Sequence, residues 1–229
     1  MNKEHIKALY FDLDHTLWDF ETNSALAFKS LFQEFDIALD LHQFLAVYIP
    51  NNNIYWKRYR EGKIDKETLR FERLKTVFDA LNFSASNTLI DDLSDAYIQT
   101  LPEYNMLFEG AIEMLTALKP HYALHVITNG FRDVQYFKMK NSGLLPFFDT
   151  VTDSSSVGVK KPDPRIFKHA LQVGQVAPNE AVMIGDNLEA DIEGALATGM
   201  HAVHFMPLEK KHPTHYTEIE KLSELNVLL

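Results

Sequence analysis

Cysteine is absent from all 229 residues. No disulfide framework, thiolate metal site or thiol nucleophile can therefore enter the chemistry. Positive charge is also scarce: 22 Lys and Arg stand against 32 Asp and Glu, a formal charge of −10. That balance speaks against a nucleic-acid polymer as partner and says nothing about the fold. Long apolar runs are missing, and none approaches the ~20 residues that a membrane-crossing helix needs. The opening Met1-Asn2-Lys3-Glu4-His5 shows no signal-peptide pattern, so the expected location is cytoplasmic and away from membranes. There is no internal repeat and no low-complexity tract. What remains is 46% hydrophobic and 24% charged, ordinary globular usage, with length for one large domain or two modest ones.

The most informative stretch is Leu9-Tyr10-Phe11-Asp12-Leu13-Asp14-His15-Thr16-Leu17. An apolar run over residues 6–11, broken only by Lys7, predicts a strand buried on both faces. It ends in two carboxylates one residue apart, then a threonine. In open α/β sheets ligands bind beyond the carboxyl ends of the strands, so both acids would arrive where substrates sit. Asp and Thr also terminate strands and cap helices. The motif alone leaves both readings open.

From Asp19 to about Thr100 the spacing predicts helices and no strand, with Phe28, Leu31, Phe32 and Phe35 on one face and Leu69, Leu74, Val77 and Leu81 on another. Pro50 is expected to break or kink the helical run over residues 44–59. Asp65 reads as the N-cap of the next helix. After Gly110 helix and strand alternate: helices over residues 111–118, 132–141, 164–173 and 190–198, and strands over 123–128, 148–152, 181–184 and 202–205. Such alternation implies an α/β fold with a Rossmann-like, doubly wound, mostly parallel sheet. The first strand belongs with that sheet. The expected division is therefore a core of residues 1–18 and 107–229 split around an all-helical insertion, residues 19–106.

Three further strand ends carry polar chemistry. One ends Ile127-Thr128-Asn129-Gly130, and another Met183-Ile184-Gly185-Asp186-Asn187, with Glu189 and Asp191 close behind. The loop Gly158-Val159-Lys160-Lys161-Pro162-Asp163-Pro164 presents a lysine just before a helix. Together with Asp12 to Thr16, these resemble the four ordered motifs of the haloacid dehalogenase superfamily. The helical insertion resembles that superfamily's helical cap.

The resemblance implies a role for each residue. Asp12 would be the nucleophile that forms an aspartyl-phosphate. Asp14 would protonate the leaving alkoxide and later deprotonate the attacking water. Thr128 and Lys161, with backbone amides around Leu13 and Asn129, would hold the phosphoryl oxygens. Mg2+ is the implied cofactor, held by the Asp12 side chain, the Asp14 backbone carbonyl and Asp186, with Asp191 in support; oxygen donors without cysteine suit that ion. Only the lysine before Pro162 fits the motif, which leaves Lys160 as a solvated neighbour. His212 and His215 read as surface residues.

Asp14 separates reaction classes, because dehalogenases and phosphonatases of the superfamily lack an acid there. The implied partner is a small phosphate monoester. Leu17-Trp18-Asp19-Phe20, Trp56 with Tyr59-Arg60, Arg70 to Arg73, Thr128 to Phe131 with Gln135, and Ser156-Val157-Gly158 further resemble the noncanonical pyrimidine 5′-nucleotidases. Trp18, Phe20 or Trp56 would then line a base pocket while Asn129 or an arginine of the helical cap meets polar groups, although aromatics at helical spacing also build cores. The cluster of Lys and Arg between Lys57 and Lys75 reads either as a solvated face or as a device that steers anionic substrate. The alternatives are a sugar-phosphate phosphatase or phosphomutase, a receiver-like switch, and an inactive binding module.

Overall fold

The computed structural model describes residues 3–206 and 216–229. His212 and His215 lie outside them. The chain divides into two compact units, one formed by residues up to Phe20 and from Asn105 onward, the other by Glu21–Tyr104. Among the described residues no helix is long and apolar enough to cross a membrane.

Among the described residues, the first unit is built on six parallel strands in the order β3-β2-β1-β4-β5-β6. They are β1 (Ala8–Phe11), β2 (Ala123–Thr128), β3 (Thr150–Asp153), β4 (Ala181–Gly185), β5 (His201–Phe205) and β6 (Thr217–Ile219). Strands β1 and β4 are buried at every position, as expected when helices cover both faces of a parallel sheet. Phe11 pairs with Val126 on one side and Ile184 on the other. Asp12, Thr128 and Asp186 therefore leave the sheet at the same edge. The chain order reverses between β1 and β4, and the crevice of a doubly wound sheet opens at that reversal. Tyr10, Ile166, Phe167, Ala170, Met183 and Ile192 share one core cluster against this sheet. Each large side chain so buried contributes about 1.5–3 kcal/mol.

The second unit is helical: α1 (Phe20–Glu34), whose first residue still belongs to the first unit, α2 (Leu41–Arg60), α3 (Lys66–Ala80) and α4 (Asn87–Thr100). Asp40, Asp65 and Ser86 cap the last three by accepting from the amides of Gln43, Thr68 and Leu89, each worth about 1 kcal/mol. The Phe28 ring packs against Phe44, Tyr48 and Tyr97, with centroids 4.8, 4.7 and 4.5 Å away. Pro50 does not break α2, which runs through it. The carbonyl that proline leaves without an amide partner is that of Ala46, four residues back, and both residues are exposed, so water can serve it.

The basic run is largely paired within this unit. Arg70 bridges Asp95, Lys75 bridges Asp79, and Lys57 and Lys63 reach Glu61. Arg73 is buried, donates to Asn52 Oδ1 at 3.1 Å and lies over the Tyr97 ring. A buried arginine projects little field into solvent. The steering reading therefore fails for Arg73 and weakens for its paired neighbours.

The first unit carries α5 (Ala111–Leu118), α6 (Arg132–Asn141), α7 (Ser154–Val157) and α8 (Pro164–Gly174), with a last short helix over Leu225–Leu228. The segment expected to be one helix over residues 190–198 begins earlier and wider, as a π-helix over Leu188–Glu193 followed by Gly194–Leu196.

Candidate active site

Past β1 the chain folds into a tight loop over residues 13–18. The Leu13 carbonyl accepts from the amides of Leu17 and Trp18 at 3.0 and 2.9 Å. His15 takes a left-handed φ of 63°, a conformation uncommon for residues other than glycine. The loop carries Asp12 and Asp14 out of the same strand end in different directions.

Asp12 meets Lys161. The lysine is buried, and its Nζ lies 2.6 Å from Asp12 Oδ1, 2.6 Å from Asp191 Oδ1 and 2.7 Å from the Ile127 carbonyl. Its backbone is held as firmly: Asn129 Nδ2 donates to the Lys161 carbonyl at 3.0 Å, and Asn129 Oδ1 accepts from the Lys161 amide at 2.8 Å. The Asn129 side chain, expected to meet substrate, is thus committed to the protein. Lys161-Pro162 is a cis peptide.

Carboxylate oxygens of Asp12, Asp186 and Asp191 all lie within 4.8 Å of one another. Thr16, fully buried, donates its hydroxyl to Asp186 Oδ1 at 3.3 Å. The π-turn swings Asp191 back so that its Oδ2 accepts from the Asn187 amide at 3.1 Å. Gly185 makes this possible: a Cβ there would stand 2.4 Å from that oxygen. Burial raises the Asp12 pKa well above the usual carboxylate range, and repulsion from Asp191 and Asp186 adds to it while Lys161 pulls the other way. Asp186 is pushed up to about 7 by burial and by Asp191, partly offset by Lys161. For Lys161, burial favours the neutral form, but Asp12 and Asp191 outweigh it and raise its pKa. Three carboxylates thus crowd around one ammonium. The deficit is one of positive charge, and the donors are hard oxygens, so the cluster fits a divalent cation such as Mg2+.

Asp14 and Thr128 belong to a second, adjoining network. Gln135 Nε2 donates to Asp14 Oδ2 at 2.8 Å and to Thr128 Oγ1 at 2.7 Å. Thr128 Oγ1 also accepts from the Gly130 amide at 3.1 Å. Because the hydroxyl accepts both bonds, its own hydrogen is left for another acceptor. A Cβ on Gly130 would fall 2.4 Å from the Gln135 amide, so glycine there admits the glutamine. Lys138 Nζ lies 2.6 Å from Asp14 Oδ1.

Of the aromatic candidates, Trp18 is placed differently from expectation. Trp18 has no exposed surface, and its ring lies under the Lys138 ammonium at 4.1 Å. The Phe20 ring lies 5.1 Å from the same atom. Both pack on a protein cation, so Trp18 does not line an open base pocket. Trp56 is half-buried against Tyr59 in the helical unit.

Lys138 was not visible as a functional residue from motif reading, and Gln135 only as part of a resemblance. A signal existed: the buried face of α6 is Val134, Gln135, Lys138 and Met139. Two polar residues in a core-facing helical stripe call for buried partners.

A doubly wound parallel sheet with an aspartate-lysine-aspartate cluster at its switch point defines a class of hydrolase. Residues 6–199 match the family described as haloacid dehalogenase-like hydrolase, and the chain belongs to that family. It is 30% identical over 229 residues to the HAD-hydrolase YfnB of Bacillus subtilis (strain 168), covering 97% of this chain and 95% of that one. It is 30% identical over 221 residues to the pyrimidine 5′-nucleotidase PynA of Streptococcus pneumoniae (strain ATCC BAA-255 / R6), covering 96% and 90%. The crystal structure of YfnB bound to magnesium matches with a TM-score of 0.88 at 31% identity, over 97% of this chain and 98% of that one.

Proposed function

We propose that the chain is a Mg2+-dependent phosphatase that hydrolyses small phosphate monoesters through an aspartyl-phosphate, acting as a 5′-nucleotidase on pyrimidine nucleoside monophosphates. The observation that carries the reaction class is the pair of differently held carboxylates. Asp12 sits in the charged cluster with Lys161, while Asp14 stands two residues on among neutral and cationic donors.

Asp12, Asp186 and the Asp14 backbone carbonyl would hold the cation, with Asp191 fixing Lys161. When bound, the ion supplies the positive charge that lets a carboxylate approach a phosphate dianion. Lys161 engages Asp12 Oδ1 and leaves Oδ2 for the attack. An Asp12 oxygen forms a bond to phosphorus, the ester P–O bond breaks, and Asp14 gives its proton to the departing alkoxide. Thr128 donates its remaining hydrogen to a phosphoryl oxygen. Asp14, now a carboxylate, takes a proton from water as the water oxygen attacks phosphorus. The acyl-phosphate P–O bond breaks, which frees phosphate and restores Asp12.

The nucleotide preference draws its support from PynA and from the aromatic and polar residues shared with that family's pattern. The insertion over residues 19–106, with Trp56, is proposed as the part that sets substrate choice. Two assays test the reading. p-Nitrophenyl phosphate turnover should require Mg2+ and vanish in Asp12→Asn; equal rates in Asp12→Asn and wild type would sink the enzyme assignment. In a panel of monoesters, pyrimidine nucleotides should show the highest kcat/KM. Sugar phosphates performing as well would remove the nucleotidase reading and leave the phosphatase.

A further inference from the structure

The first unit buries a second lysine that none of these roles uses. Lys138, on α6, is 2% exposed, and its ammonium lies 2.6 Å from Asp14 Oδ1. Gln135, three residues earlier on the same helix face, is 1% exposed and reaches the other oxygen, Oδ2, at 2.8 Å. Both oxygens of one aspartate are therefore gripped from a single helix, at the spacing that makes helical neighbours. The Trp18 and Phe20 rings close around the ammonium at 4.1 and 5.1 Å.

Such an arrangement is a poor investment in stability. Removing an ammonium and a carboxylate from water costs several kcal/mol per ion, and apolar residues of similar volume would pack as well. Its value must lie in geometry. A general acid has to stand within about 2.6–3.2 Å of the oxygen it protonates, and a misplacement of about 1 Å can cost 10²-fold in rate. Asp14 keeps 23% of its side chain exposed, so without a grip it would sample several rotamers.

We infer that Lys138 and Gln135 are positioning residues that fix Asp14 for leaving-group protonation; the inference rests on the acid–base role proposed above. Gln135 adds a second constraint. Its Nε2 carries two hydrogens, one directed to Asp14 Oδ2 and the other to Thr128 Oγ1 at 2.7 Å. One amide thereby sets the distance between the hydroxyl that meets the phosphoryl group and the acid that meets the leaving oxygen. Trp18 and Phe20 hold the Lys138 ammonium in place by cation–π attraction.

Leaving groups separate this role from a structural one. An alkyl phosphate ester expels a strongly basic alkoxide and depends on Asp14 for its proton. p-Nitrophenyl phosphate expels a weakly basic phenolate and depends on it far less. Lys138→Met keeps the apolar stem against Trp18 and removes the charge. We expect kcat to fall for both substrates, with the alkyl-to-aryl kcat ratio dropping at least about tenfold and KM changing little. Lys138→Arg should recover part of that ratio. Where Lys138→Met does not fold, Gln135→Met is read in the same way and should lower the same ratio. An unchanged ratio in the folded variants overturns the inference. Wild-type protein that hydrolyses neither ester overturns the phosphatase reading itself, a result distinct from a wild type that turns over both esters while the variants leave the ratio unmoved.

Discussion

At the scale of single residues, the site depends as much on what is small as on what is charged. Asp191 can lie against Gly185 and still reach Lys161 only because position 185 lacks a Cβ, which would stand 2.4 Å from Oδ2 and 2.5 Å from Cγ. Asp191 is 1% exposed and held by Lys161 and the Asn187 amide, so it has nowhere to move cheaply. Gly185→Ala should therefore cost about 1–3 kcal/mol of stability, as overpacking does, and lower kcat by loosening Lys161. Denaturant midpoints and kcat measured together check this. A variant of wild-type stability and rate would show that Asp191 relocates freely. Three of the four motifs could be read from sequence because each puts a polar residue at the end of an apolar strand; Lys161 was legible instead as the lysine before Pro162 in a loop that leads into a helix. The grip of Asn129 on the Lys161 backbone could not. An asparagine beside a threonine at the end of a strand looks like a ligand contact, and only the fold reveals that a backbone 32 residues away claims both ends of its amide.

At the scale of elements, period was enough to place the helices of the insertion, Asp65 the start of one of them, and apolar runs five of the six strands seen among the described residues. Strand β6 has three residues, too short for alternation to register. The π-turn over Leu188–Glu193 escaped for a different reason: nothing in its composition marks the extra residue per turn, and its function shows only in the fold, where it carries Asp191 back to the Asn187 amide. A tertiary constraint sits in β2. His125 is 2% exposed, stacks on Tyr10 at 4.7 Å and joins Thr150 Oγ1 through Nδ1 at 2.8 Å. Burial lowers its pKa, with Asp149 opposing and Lys119 assisting. The folded protein thus holds this ring neutral to lower pH than the unfolded chain, where imidazole titrates near about 6.5. Below that value the unfolded state binds more protons, so this residue's contribution is full above pH 6.5 and is lost as pH falls. His125→Phe should flatten the decline in urea midpoint between about pH 7 and pH 5. Equal declines in variant and wild type would show that His125 does not couple to folding.

At the scale of the whole molecule, the site is a charge imbalance built into the centre of the sheet. Three carboxylates within 4.8 Å share one ammonium, so the folded state carries repulsion that the unfolded chain does not. A cation that binds only the folded state returns stability by mass action, about 2.7 kcal/mol at a hundredfold excess over Kd. For a protein of this size that is a rise in Tm of roughly 5–10 °C. The imbalance can be moved in both directions. Lys161→Met removes the compensating charge, so the metal-free protein should melt lower and the Mg2+-induced shift should grow although turnover is lost. Asp186→Asn removes a ligand and one source of repulsion, so the metal-free protein should hold or gain Tm while the shift shrinks. Thermal melts of wild type and both variants in Mg2+ and in chelator provide the measurement. Activity and metal stabilisation part company in Lys161→Met, which separates a damaged cation site from damaged chemistry. A shift of equal size in all three proteins would place the cation elsewhere and leave the carboxylate cluster without the partner its charge demands.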